Sequence, residues 1–219
     1  MARKTYHHGD LRAALISAGM DVLRREGIDA VTLRTVVRKA GVSPAAAYRH
    51  FANATDLLAA IAEQGFASLR TAMVAALTDS SLKTLSPLER IGQGYLQFVE
   101  SHPDHFRLIF SPRIPAEART PALAAAGCAS FEVLIQAIEE SRKLGHVDSS
   151  LPTPLIAAAA HSFIHGLAIL LLDEHLDPKA LGFANSAELA RACQAVFKNG
   201  WGASTPTKAL TGARSGKKR

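Results

Sequence analysis

Residues 43–50, Ser-Pro-Ala-Ala-Ala-Tyr-Arg-His, combine small side chains with several that can form hydrogen bonds. An arginine can bond both acceptors of a guanine edge, and alanine methyl groups fit against thymine methyls. Tyrosine and histidine suit phosphate oxygens, which position a protein on DNA without reading its sequence. We therefore predict a DNA-reading helix. Its base contacts are Arg49, Ala45 and Ala46, and its phosphate contacts are Tyr48 and His50.

The preceding segment supplies the support that such a helix needs. Residues 33–40 place apolar side chains on one helical face, and Gly41 can take the positive φ of a tight turn. Thr32 and Ser43 are N-cap residue types, and backbone N–H groups at helix N-termini can bind phosphate. The pattern predicts a helix-turn-helix. Four more DNA contacts are assigned to Thr32, Arg34, Ser43 and Pro44.

His161 and His165 are four residues apart, a spacing that can bind a metal on one helical face. No third ligand is adjacent on that face, so interior histidines are the favoured interpretation and no metal is predicted. The sequence contains no nucleophile elbow, phosphate-binding glycine loop, zinc-protease motif or paired carboxylates in a plausible site. We predict no catalytic residue, no cofactor and no enzyme activity.

The elements that position these residues are helices throughout. Sustained period-two alternation and hairpin turns are missing, whereas apolar residues recur at helical spacing. Serine, threonine, proline and glycine mark the ends of about nine helices, including a long one from about Asn53 to Leu77. The fold class predicted is all-α.

The charge is unevenly distributed along the 219 residues, whose net charge is +6. Residues 1–60 carry nine basic and five acidic side chains, residues 61–203 eleven and fourteen, and residues 204–219 five and none. A basic beginning and end with a mildly acidic middle indicate polyanion binding at the ends. We see no secretory signal and no apolar run of about 18 residues, so no membrane partner is predicted. Two cysteines without metal-ligand spacing fit a cytoplasmic protein.

The segment GVSPAAAYRHF, followed by N-x-x-D-L-L, resembles the signature of the TetR family of transcriptional regulators, as does T-L-R-x-V-x-x-x-A before it. The match covers residues 10–60 well and the whole chain loosely. Where the family commonly has a phosphate-binding lysine, this chain has Ala54. Residues 6–12, 102–110 and 165–168 resemble the subgroup with a WHG-type ligand domain, and Arg3 and Lys4 could then act as a DNA-binding arm.

The resemblance implies a three-helix DNA-binding domain over residues 1–52 and a larger ligand-binding and dimerisation bundle over residues 53–202. Residues 203–219 are predicted to be a disordered basic tail. Apolar residues on more than one face of the last two helices indicate a homodimer interface. Tyr95, Phe98, Phe106, Phe110 and Phe131 recur on helices, a pattern more typical of a core. In a family whose body encloses a cavity some would line it, and the ligand-binding residues assigned are Tyr95, Phe98, Phe131, His161 and His165.

The function predicted is a sequence-specific DNA-binding regulator, a cytoplasmic repressor released from a double-stranded operator by a small-molecule effector. One alternative is a DNA-binding regulator without an inducer, controlled by a protein partner or by its abundance. A more distant alternative is a cytosolic helical enzyme that keeps the helical hairpin as a scaffold. Operator binding separates the first two from the third, and ligand-induced release separates the first from the second.

Overall fold

The structure, a computed structural model, describes residues 11–199. Over this range it contains nine α-helices, a few short 3-10 turns and no strand, which confirms the all-helical prediction. The helices are α1 Leu11–Glu26, α2 Leu33–Ala40, α3 Pro44–Tyr48, α4 Ala54–Thr78, α5 Pro87–Ser101, α6 Pro103–Ile109, α7 Pro121–Lys143, α8 Thr153–Leu172 and α9 Ser186–Asn199. The chain forms two compact units, one through His175 with α1–α8 and one from Leu176 with α9.

Side-chain caps fix the two short helices near the start of the chain. Thr32 Oγ1 accepts the Thr35 backbone N–H at 3.1 Å, and Thr35 Oγ1 accepts that of Thr32 at 3.0 Å. Ser43 Oγ accepts the Ala46 N–H at 3.2 Å, and Gly41 between the helices has φ 68°. These interactions satisfy N–H groups that have no partner within the helix. The predicted helix-turn-helix geometry is therefore present.

A continuous apolar core joins these first helices to the rest of the unit. Ala47 and Phe51 are buried with Leu57 and Ile61 at the start of α4. The same core includes Leu108, Ile114 and Leu123, from α6, the segment after it and α7. One core therefore spans the predicted domain boundary between residues 52 and 53, because residues of α4 pack in the same core as residues of α1–α3, α6 and α7.

Helix α4 contacts α5, α6 and α7. A close backbone approach lies at Gly94 of α5, where an added Cβ atom would lie 2.6 Å from the carbonyl oxygen of Ala72. Only a residue without a side chain allows α4 and α5 to approach this closely. Thr120 caps the N-terminus of α7, and α8 ends at Leu172.

Two helices, α7 and α8, are long and apolar enough to cross a membrane by length and composition alone. In α8 only 22% of the most apolar 18-residue stretch is buried, so much of its apolar surface has no cover within the described chain. The predicted arm residues Arg3 and Lys4 and the predicted basic tail 203–219 lie outside the described residues.

Candidate DNA-binding surface and effector site

The residues assigned to DNA contact lie on one solvent-facing part of α2, α3 and their flanks. Ala46 is partly buried, and the others are exposed: Thr32, Arg34, Ser43, Pro44, Ala45, Tyr48, Arg49 and His50. Tyr48, at 60% exposure, is a large ring with little protein cover. Beneath this surface Ala47 and Phe51 are almost completely buried. The inward and outward faces of α3 are therefore those that the sequence predicted.

Two of these side chains also serve as caps, which limits how they can contact phosphate. The Thr32 and Ser43 hydroxyl oxygens accept backbone N–H groups. The Ser43 hydroxyl keeps an O–H that can donate to a phosphate oxygen. The Thr32 hydroxyl instead lies 2.9 Å from Thr35 Oγ1, which itself donates to the Ala30 carbonyl oxygen, so the Thr32 O–H already has an acceptor within the protein. A phosphate contact at residue 32 would therefore compete with this hydrogen bond.

Arg12 of α1 is a further positive group at this surface that the sequence pattern did not identify. Its guanidinium carbon lies 5.6 Å from the centre of the Phe51 ring, a cation–π geometry. Because Phe51 follows α3, the contact places an exposed positive charge beside the end of the recognition helix. Nothing in residues 10–12 alone indicates it, since the contact depends on how α1 crosses α3.

The segment after α6 connects the DNA-binding part to the body. Arg113 forms an ion pair with Asp29, which lies in the turn between α1 and α2. Ile114, the next residue, is buried in the core shared with the first helices. Both partners of the ion pair are exposed, so the buried isoleucine contributes more to this connection than the charges do.

Inside the body, five aromatic side chains form one group, which we call the His–Tyr cluster. Its members are Tyr95 of α5, Phe106 of α6, Phe110 directly after α6, and His161 and His165 of α8. The Tyr95 hydroxyl lies 2.8 Å from Nδ1 of His165. The imidazoles of His161 and His165 are nearly parallel with centres 5.6 Å apart. Phe110 contacts both imidazoles, and its ring centre is 4.5 Å from that of His165.

Burial changes the protonation behaviour of this cluster. It raises the pKa of the Tyr95 phenol, so this hydroxyl keeps its proton at neutral pH. It lowers the pKa of His161 and of His165, and the neighbouring His161 lowers the pKa of His165 further. At neutral pH the cluster is therefore uncharged.

The structure brings together three of the five residues assigned to ligand binding: Tyr95, His161 and His165. Phe98 is fully buried one turn along α5 from Tyr95, where its ring stacks on His102. Phe131 is 47% exposed on α7. Phe106 and Phe110, which the sequence identified only as recurrent aromatics, instead contact the imidazoles. Their four-residue spacing on a short helix is the signal that could have found them.

His105 lies on the other side of α6, against α4. An added Cβ atom at Gly65 of α4 would lie 2.8 Å from Ile109 and 3.2 Å from the His105 ring. Nε2 of His105 is buried and has no hydrogen-bond partner among residues 11–199. Burial and then the nearby His102 lower the pKa of His105. Thus α6 faces the His–Tyr cluster with Phe106 and packs tightly on α4 with His105 and Ile109.

Comparison with known proteins matches both parts of the chain. Residues 15–61 match the family model described as bacterial regulatory proteins, tetR family. Residues 88–196 match the model described as tetracyclin repressor-like, C-terminal domain. The HTH-type transcriptional regulator BetI of Rhizobium meliloti (strain 1021) is 36% identical over 80 residues. That match spans 36% of this chain and 37% of the regulator's own length.

Solved structures share the fold over nearly the whole chain. A protein of unknown function from Rhodococcus sp. RHA1 is 28% identical, with a TM-score of 0.75, 90% of this chain covered and 98% of that one. A putative tetR family transcription regulator from Shewanella sp. PV-4 is 19% identical, with a TM-score of 0.63 and coverages of 86% and 96%. The second likeness concerns the fold alone.

Proposed function

Because the chain belongs to the TetR family of bacterial regulatory proteins and is a DNA-binding transcriptional regulator, we propose that it is a repressor released from its operator by a small molecule. The observation that carries this proposal is the shared core. The core that holds α3 in place also contains buried residues of α4 and α6. Helix α6 in turn contributes Phe106 to the His–Tyr cluster. The alternative, a regulator without an inducer, needs no such cluster. A cytoplasmic location is part of the proposal.

In this proposal the exposed surface of α2 and α3 docks in the major groove of an operator. Arg49 reads a guanine, and Ala45 and Ala46 contact thymine methyls. The phosphate contacts are Thr32, Arg34, Ser43, Pro44, Tyr48 and His50, through side chains or adjacent backbone groups. Arg12 adds an electrostatic contribution that is independent of sequence.

We propose a homodimer whose interface includes the exposed apolar face of α8. Leu155, Ile169 and Leu170 are 57%, 38% and 44% exposed on this helix, and an added Cβ atom at Gly166 would meet nothing within 4 Å. A second copy would cover such a surface and would place two recognition helices at a fixed spacing. Leu167 of the same helix is only 7% exposed and belongs to the interior.

The interface proposal is tested by placing a charge on the exposed face of α8. Ile169→Glu should give a folded monomer, because an unpaired charge opposes burial against a second copy. Val74→Glu alters an equally exposed apolar residue of α4 and is the control, which should leave the assembly unchanged. Light scattering gives the mass of each variant. A dimeric Ile169→Glu variant would place the interface elsewhere.

Transmission between effector and DNA would run through α6 and α4. The 25 residues of α4 span about 37 Å at 1.5 Å per residue, so a tilt of a few degrees moves one end by ångströms. Because DNA half-sites have a fixed separation, such a shift weakens docking without changing any contact residue. The coupling is reciprocal, so bound operator also weakens effector binding.

Gly65→Ala tests this route without an effector. The added methyl group pushes Ile109 and His105 of α6 away from α4. We expect operator affinity to fall about fivefold or more, the lower end of typical coupling, with the helical content retained. Gly127→Ala of α7 is the control, since its added Cβ atom would lie 3.8 Å from the Phe66 ring, an ordinary van der Waals distance. Unchanged operator affinity in a correctly folded Gly65→Ala variant would contradict transmission through this contact.

A further inference from the structure

The hydrogen bond between Tyr95 and His165 determines which imidazole nitrogen can bind a ligand. The buried phenol keeps its proton, and Nδ1 of His165 at 2.8 Å is the acceptor that the described residues provide for it. If Nδ1 instead donated, the phenol proton would be left buried without an acceptor, which is costly. The Tyr95 hydroxyl therefore donates to Nδ1, and the neutral His165 carries its proton on Nε2. That N–H is a donor available to a ligand.

His161 places a second imidazole beside this donor. It lies one helical turn before His165, its ring is inclined by 16° to that of His165, and it is partly exposed. A neutral imidazole has one N–H donor, so the pair presents two donors from one face of α8. Two adjacent donors match the two oxygens of a carboxylate.

Within the part of the chain that the structure describes, no carboxylate contributes to the pKa of either imidazole. From α5 it faces the Tyr95 phenol, and from α6 the Phe106 and Phe110 rings. Arg107 of α6 pairs with Asp173 after α8 at 2.9 Å. Asp104 of α6 acts on His105. The lowered pKa of each imidazole is caused by burial and, for His165, by His161, with no carboxylate contribution.

We propose that the His–Tyr cluster binds the carboxylate of a monocarboxylic acid with an apolar body, and that one imidazole of the pair takes up a proton on binding. The carboxylate accepts from His161 and from Nε2 of His165, and the apolar body packs on Phe110. Phe110 is 37% exposed and contacts both imidazoles, so it forms the side of the cluster that a ligand approaches. The inference rests on the proposed effector role of the body.

The proton uptake follows from the electrostatics of the pair. An imidazolium in this partly buried site lacks a counter-ion, and a bound carboxylate supplies one. A cationic ligand would raise the cost of that protonation and would meet no carboxylate in the cluster, although aromatic faces alone can attract cations. A neutral alcohol could accept the hydrogen bonds but would not stabilise the imidazolium. These three classes therefore differ in both affinity and pH dependence.

Calorimetry on the full chain without DNA distinguishes the classes. The probes are 3-phenylpropionate, octanoate, 3-phenylpropanol and benzyltrimethylammonium, each titrated at pH 7.5 and pH 6.0 in buffers of different ionisation enthalpy. We expect at least one carboxylate to bind about tenfold or more tighter than the alcohol, as charge-assisted hydrogen bonds predict. Its affinity should rise at pH 6.0 with net proton uptake. Comparing 3-phenylpropionate with octanoate separates an aromatic body from an aliphatic one.

The variants separate the imidazoles from general effects. The double variant His161→Gln, His165→Gln keeps N–H donors but cannot be protonated at either position, so it should lose the proton uptake and most of the preference for the acid. His102→Gln removes an imidazole that stacks on Phe98 outside the cluster and should behave as the parent. If the double variant does not fold, NMR titration of the parent measures the same property, since the acid should raise the pKa of His161 or His165.

Several outcomes would overturn the inference. These are equal affinity for acid and alcohol, preference for the ammonium compound, acid binding without proton uptake, or no binding of either carboxylate. Each would leave the proposed repressor intact if the chain still binds an operator. Conversely, acid binding that leaves operator affinity unchanged would keep the site and remove its proposed regulatory role.

Discussion

The exposed DNA-binding surface and the His–Tyr cluster are built in opposite ways. The first is formed by a short stretch of chain, residues 32–50, in which most of the assigned contact residues are exposed. Ala47 and Phe51 are buried beneath it and anchor α3. The second joins side chains up to 70 residues apart, which are held mainly by one another. Changes at the surface should alter binding and leave the fold intact, whereas changes in the body should affect stability as well. The two regions can thus be probed separately.

The largest expected effect is on the packing that holds the body together. Gly94→Ala would place a methyl group 2.6 Å from the Ala72 carbonyl oxygen, so α4 and α5 must separate. Overpacking of this kind costs about 1–3 kcal/mol, and a backbone neighbour cannot simply rotate away. Urea denaturation measures the loss in the free energy of unfolding. Gly127→Ala, whose added Cβ atom would lie at an ordinary 3.8 Å from the Phe66 ring, is the control, and equal stability of the two variants would show that the close approach is not tight.

At the DNA-binding surface the expected effect concerns affinity alone. Arg49→Ala should weaken operator binding by about 1–3 kcal/mol and relax the preference at one base pair per half-site. The matched variant is Tyr48→Ala, which removes a phosphate contact and should weaken binding to all sequences about equally. Binding to a randomised operator library is the measurement. A uniform loss for Arg49→Ala would make Arg49 a phosphate contact.

A smaller effect is expected from pH, and it should arise in the body. Burial lowers the pKa of His161 and of His165 below the ordinary value of 6.5 in the folded protein. Below that value the unfolded chain binds more protons, so the free energy of unfolding should decrease as pH falls. His161→Gln with His165→Gln should flatten this dependence by less than one proton per imidazole. Urea unfolding between pH 7.5 and 5.5 tests it, with His50→Gln as a control for the loss of an imidazole. An unchanged slope would contradict the argument from burial.

The smallest effect should come from restoring a contact that this chain lacks. Ala54, the first residue of α4, occupies the position where the family commonly has a phosphate-binding lysine. Ala54→Lys should increase operator affinity several-fold and steepen its dependence on log salt concentration by about one unit. Titrations at several salt concentrations measure both. If the salt dependence does not change, residue 54 lies away from the phosphate backbone.

The same contrast explains how much the sequence predicted. The caps at Thr32 and Ser43 and the inward face of α3 depend on residues three or four apart, so local patterns identify them. The contact of Tyr95 with His165 depends on how α5 meets α8, which no local pattern specifies. The apolar pattern of α8 does not show that Leu167 is covered within the chain while Ile169 is exposed, because an all-apolar helix does not reveal which side is buried. The position of Arg12 beside Phe51 likewise depends on how α1 packs against α3.

Sequence-specific recognition by α3 is tested most directly by letting the full chain select double-stranded DNA from a randomised library. Anisotropy titrations then compare its affinity for the selected duplex and for a scrambled duplex. A dimeric repressor should select a two-fold symmetric site whose half-sites lie about 10 base pairs, or a multiple of that, apart. Binding to it should be roughly a thousandfold or more tighter than to the scrambled duplex. Equal affinity for both duplexes, at any salt concentration, would contradict sequence-specific recognition by α3 and with it the proposed repressor.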